Sequence, residues 1–105
     1  MLNKMLGMLS LCRRAGKVTA GSDAVREAIQ ERQAKLILLA SDLSDRSRSL
    51  IERSAEAGKV PCRGIKETMP EIAQVIGRET GILAILDSGF ASGLERLISP
   101  EKEGE

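Results

Sequence analysis

Two stretches of the chain, LILLA at 36–40 and ILAIL at 82–86, are uninterrupted apolar runs of strand length. A strand with one face in water alternates apolar and polar side chains. A continuous run requires cover on both faces, so both segments belong in the middle of a sheet packed by helices above and below. The remaining sequence supplies that cover. Leu2, Met5, Leu6, Met8, Leu9 and Cys12 recur at helical spacing, with Arg13, Arg14 and Gly16 marking the helix end. KVTA at 17–20 reads as a short strand. A second helix opens at Gly21-Ser22-Asp23 with the apolar stripe Val25, Ala28 and Ile29, and a third opens at Ser44 and Asp45 and ends at Gly58. VPCRGI at 60–65 is another short strand. KETMPEIAQVIG at 66–77 gives a helix with Thr68 as N-cap and Pro70 in its first turn, and GFASGLERLI at 89–98 a last helix.

Alternating helices and strands predict an α/β domain with helices on both faces of a small sheet. Its two apolar strands are expected deep inside and its two short strands at or near the edges. At 105 residues one domain is expected, spanning 1–99, with 100–105 as a flexible acidic tail. The core must be aliphatic, since Phe90 is the only aromatic residue.

No apolar run approaches the roughly 20 residues that span a bilayer. Lys4 interrupts the N-terminal apolar run, and arginines stand where a signal peptide has small residues, so the segment reads as the first helix of a cytoplasmic protein. The chain has no histidine, so Cys12 and Cys62 lack the usual companions of a zinc site, and no metal or cofactor is expected. Both read as small core residues of a reducing compartment. A nucleophile elbow, a phosphate loop and a dinucleotide fingerprint are all missing from the sequence. Asp42 and Asp87 each follow an apolar strand, where carboxylates act in open α/β sheets. The reading adopted is that each turns the chain and caps the next helix. The protein is therefore expected to be non-enzymatic. One phenylalanine also cannot build a base-stacking platform. Net charge is only +1, but Lys4, Arg13, Arg14 and Lys17 fall in the first twenty residues with no acid among them. That distribution suits an RNA-facing patch or a solvated charged face.

Recognition by backbone amides and short polar side chains remains, and GKVTAGSDAVREAI at 16–29 offers it. Glycine before a helix permits close approach of another backbone, and the free amides of the first turn suit phosphates or base-edge acceptors. Lys17 and Arg26 are candidates to supply charge. An ordinary helix N-cap is the plain alternative.

RRAGKVTAG, AKLILLASDLS, VPC and DSGFA follow one another in an order and spacing that resembles bacterial YlxQ-type proteins, within the kink-turn RNA-binding ribosomal protein superfamily. The resemblance covers roughly residues 5–97. It implies a three-layer α/β/α sandwich around a small mixed four-stranded sheet, and binding of structured RNA, ribosomal RNA above all. It also implies an RNA site at the glycine loop opening the second helix, with the pattern Gly-x-Asn-Glu-x-x-Lys. Gly21 matches the glycine and Ser22 the variable position, while Asp23, Ala24 and Glu27 replace the asparagine, glutamate and lysine. An ionised aspartate cannot donate as asparagine does, and Glu27 reverses the charge. In the loop RGIKET the resemblance implies an apolar contact by Ile65 with a flipped-out nucleotide, and phosphate contacts by Arg63 and Lys66. The expected ridge runs from Lys17 to Arg26 and includes Lys35, Ala40 to Asp42, and Arg63 to Thr68. A monomer is expected. The altered positions motivate an alternative, an adaptor that binds translation or ribosome-assembly proteins.

Overall fold

The computed structural model describes residues 3–98. Five helices alternate with four strands there: α1 (Lys4–Arg14), β1 (Val18–Ala20), α2 (Ser22–Gln30), β2 (Leu36–Leu39), α3 (Asp45–Ala57), β3 (Cys62–Gly64), α4 (Met69–Ile76), β4 (Ile82–Ile85) and α5 (Ser88–Ile98). The strands form one mixed sheet in the order β1-β4-β2-β3. β2 and β3 are parallel, as a helical crossover requires, and β4 runs antiparallel to both its neighbours. The two apolar runs supply the central strands β2 and β4, buried at every strand position, and the short strands are the edges.

Alternation along the central strands divides the interior in two. Leu36, Leu38, Leu83 and Ile85 face α1, α4 and α5, where they meet Leu9, Cys12, Ile72 and Leu94. Ile37, Leu39, Ile82 and Ala84 face α2 and α3, where they meet Val25, Ile29, Ile51 and Ala55. This is the expected three-layer α/β/α sandwich. Leu2 and the tail at 100–105 lie outside the described residues. Among the described residues no helix is long and apolar enough to cross a membrane.

The helix ends differ in how they are capped. Side chains cap four N-termini: Asn3 Oδ1 accepts from the Leu6 amide at 2.7 Å, Ser44 Oγ from Ser47 at 3.2 Å, and Asp87 Oδ2 from Phe90 at 2.9 Å. Thr68 and Glu71 form a reciprocal capping box on α4. α2 starts at Gly21 with no side-chain cap. At the other end, α1, α2 and α3 close with the same pair of bonds, Lys17 N–H to Cys12 O and Gly16 N–H to Arg13 O in α1 being the pattern. The residue that turns left-handed is Gly16 in α1 (φ 72°), but Arg32 in α2 (φ 62°) and Lys59 in α3 (φ 59°). That conformation is free for glycine and costs other residues roughly 1–2 kcal/mol.

Cys12 is fully buried, and its thiol donates to the Lys17 carbonyl at 3.2 Å. Burial, and secondarily the Asp87 carboxylate, push its pKa from 9.0 up to about 11. The unfolded thiol therefore loses its proton at lower pH than the folded one. Its stabilising contribution is complete below about pH 9 and is lost as pH rises through about 11. Urea midpoints measured across this window are expected to fall more steeply for the native chain than for Cys12→Ala. Parallel pH profiles would contradict the assignment.

Candidate nucleic-acid interface

β1, β2 and β3 all end at one edge of the sandwich, where β4 begins. Backbone bonds tie their loops into one rim there. The Gly21 amide donates to Ile82 O at 3.0 Å, Ala40 to Gly81 O at 2.9 Å, Ile65 to Leu39 O at 2.9 Å and Ser41 to Glu67 O at 2.9 Å. Asp42 Oδ1 accepts from the Met69 amide at 2.9 Å, joining the β2–α3 loop to the start of α4. Asn3 donates to the buried Glu67 carboxylate at 2.7 Å, which anchors the β3–α4 loop to α1.

Gly21 forms the corner of this rim. Its φ of 98° and ψ of 153° lie in a region open essentially to glycine alone. The first intrahelical bond of α2 runs from Val25 N–H to Gly21 O, so the amides of Ser22, Asp23 and Ala24 have no partner among the described residues. Arg78 lies over the corner: its guanidinium donates to Ala20 O at 3.4 Å. A β-carbon at position 21 would stand 2.6 Å from Arg78 Nη2. Gly21→Ala is therefore expected to lower unfolding free energy by about 1 kcal/mol or more, read from urea titration, and to displace Arg78. An unchanged midpoint would mean that the corner relaxes without cost.

A model of the ribosomal protein L7Ae/L30e/S12e/Gadd45 family matches residues 3–95. The chain belongs to this family. It is 30% identical over 95 residues to the RNA-binding protein YlxQ of Enterococcus faecium, covering 90% of this chain and 91% of that one. It is 34% identical over 92 residues to the RNA-binding protein YlxQ of Bacillus subtilis (strain 168), covering 87% and 91%. A solved structure of a protein of unknown function from Bacillus halodurans C superposes with a TM-score of 0.85 at 26% identity, covering 90% of this chain and 96% of that one. The Giardia lamblia 15.5kD RNA binding protein shares the fold, with a TM-score of 0.74 at 12% identity over 95% and 92% of the chains.

The L7Ae/L30e/S12e/Gadd45 fold gathers some of the residues expected from sequence and separates others. Gly21, Ser22, Asp23, Asp42, Lys66 and Thr68 share the rim, and Ser22, Asp23, Asp42 and Lys66 are exposed. Lys17 and Lys35 do not belong to it. The Lys17 carbonyl accepts from Leu86 at 2.8 Å and the Lys35 amide donates to Ile85 at 2.7 Å, which puts both at the opposite end of the sheet. Strand direction decides this, because each lysine precedes its strand. Arg26 lies one turn into α2 and lines a cleft between α2 and α3, while Glu27 is exposed beside it. Arg63 is held by Glu95 of α5 at 3.0 Å. Ile65 is only 7% exposed: it belongs to the core under α1, α4 and α5 and lines a cleft beside Met5 and Lys66. Asp87 caps the helix that follows it, as expected. Asp42 does not: Ser44 caps α3, and the Asp42 carboxylate instead reaches across to α4.

Several rim residues had no signal in the sequence. Arg78 reaches Gly21 because β1 and β4 pair antiparallel, and Arg48 of α3 donates to Ala40 O at 3.1 Å. Half-buried Leu43 and Met69 close over Gly81, where a β-carbon would meet them at 2.8 and 3.1 Å. They add partly exposed apolar surface to the rim. The Arg78 placement follows from strand pairing, which periodicity does not encode.

Proposed function

We propose that the chain is a small, non-enzymatic RNA-binding protein that takes structured RNA, ribosomal RNA first of all, at the rim around Gly21. In this reading it acts as a monomer in the cytoplasm. One observation carries it: α2 alone among the helices has no side-chain cap, and it opens on that rim beneath Arg78. Uncapped amides with the positive end of the helix dipole accept phosphate oxygens or base-edge acceptors. Arg78 adds a charged donor beside them. Curated relatives that carry the name RNA-binding protein support the reading. Kink-turn RNA is the specific class favoured by the glycine corner, at reduced strength because Asp23, Ala24 and Glu27 stand where a kink-turn binder has asparagine, glutamate and lysine.

The same acids favour a second reading. Asp23, Glu27 and Glu79 lie close in sequence to the corner and its arginine, so charge near Gly21 is mixed, which suits an adaptor that meets a protein partner. Filter binding to total ribosomal RNA across a salt series separates the two. RNA binding that weakens with salt, and that Arg78→Ala lowers several-fold, is the expected result. Absence of binding at low salt would favour the adaptor.

A further inference from the structure

The C-terminal halves of α2 and α3 border an open cleft of about 740 Å³. Buried Ile29 and Ala34 and half-buried Val60 form its floor, and Arg26, Arg32 and Lys59 supply three cations to its lining. Among the described residues the lining contains no carboxylate, and the only ion pair is Arg63–Glu95, elsewhere on the surface. Two of the three cations hold the left-handed turn positions of α2 and α3. α1 makes the same turn with Gly16, so this chain has glycine where only the turn is needed. Arg and Lys stand instead at the two turns that border the cleft. Attraction to the helix dipole does not require that placement, since any cation in the last turn would satisfy it.

We propose that this cleft is a second RNA contact, in which Arg26, Arg32 and Lys59 hold backbone phosphates. The proposal rests on the RNA-binding reading above and extends its surface. Continuity supports it: α2 carries the uncapped amides at one end and Arg32 just past the other. Its 9 residues span roughly 14 Å, a distance one RNA strand bridges.

The test compares the full chain with the triple variant Arg26→Gln, Arg32→Gly, Lys59→Gly, and separately with Arg78→Ala, by filter binding to total ribosomal RNA over a salt series. The triple variant is expected to keep or raise the urea midpoint, because glycine relieves both left-handed turns. It should bind at least about ten-fold more weakly at low salt, with a salt slope shallower by about 2–3, each lost phosphate contact removing roughly 0.7–0.9. Unchanged affinity and slope overturn the proposal; if Arg78→Ala still weakens binding, the rim reading stands without the cleft. A fallen midpoint with unchanged RNA binding also overturns it, assigning the cations to the helix ends. Weakening by the triple variant alone upholds the cleft and removes the rim. A native chain that binds no RNA at low salt ends both.

Discussion

Asp23→Asn combined with Glu27→Lys is expected to tighten binding of a standard kink-turn RNA by about 1–3 kcal/mol, the scale of one good base-edge contact. Both side chains are exposed, one helical turn apart at the open end of α2. An ionised carboxylate there repels phosphates and competes for the same free amides. Asparagine adds a donor that aspartate lacks, and lysine replaces repulsion with attraction. The folded state should lose only a few tenths of a kcal/mol, since acids near a helix N-terminus complement its dipole modestly. Binding titrations against a kink-turn and a straight duplex give the measurement. If the native chain already binds the kink-turn at nanomolar concentration, the three departures do not weaken recognition. If the double variant gains nothing while ribosomal RNA binding persists, RNA does not sit at the Gly21 corner.

The largest effect on stability is expected at Leu38. It is fully buried on a central strand and packs with Leu9, Ile72 and Leu83 beneath α1 and α4. Truncation to alanine removes the transfer free energy of the lost carbons and leaves a cavity that a close-packed sandwich fills incompletely. Together these cost about 2–5 kcal/mol. Total stability for a domain of this size is about 5–15 kcal/mol, so the loss is a large fraction of it. Leu50 on α3 is 48% exposed and serves as the control: Leu50→Ala should stay within about 0.5 kcal/mol. Urea titration of the two variants checks the contrast. Equal shifts would mean that burial on β2 does not govern stability.

The adaptor reading and the RNA reading share the same rim, so these variants bear on both. A protein partner would respond to Asp23 and Glu27 in the opposite sense, losing affinity when the acids are removed. The double variant thus reports which class of partner the charges serve.

Local patterns were sufficient for the elements and for a small sheet covered by helices on both faces. Continuous apolar runs predicted the two central strands because a strand buried on both faces has no reason to alternate. Helix starts at Ser44 and Thr68 followed from hydroxyl side chains that satisfy nearby amides, a matter of three residues at most. The Gly21 corner was legible for the same reason. What the residues around it touch was not. Lys17 looked like a neighbour of the corner along the chain and Lys35 was expected on the same ridge, yet each precedes its strand, and a strand carries its two ends apart by about 3.3 Å per residue. Arg78 is far from Gly21 in sequence and lies against it because β4 pairs antiparallel with β1. Ile65 turned inward because β3 pairs with β2 in a register that lays its end over the core of α1, α4 and α5. By itself the sequence determined which segments are helix, strand and corner, since those depend on spacing within a few residues. Only the tertiary structure decided which charges meet, because strand order and direction are set by packing of the whole sandwich.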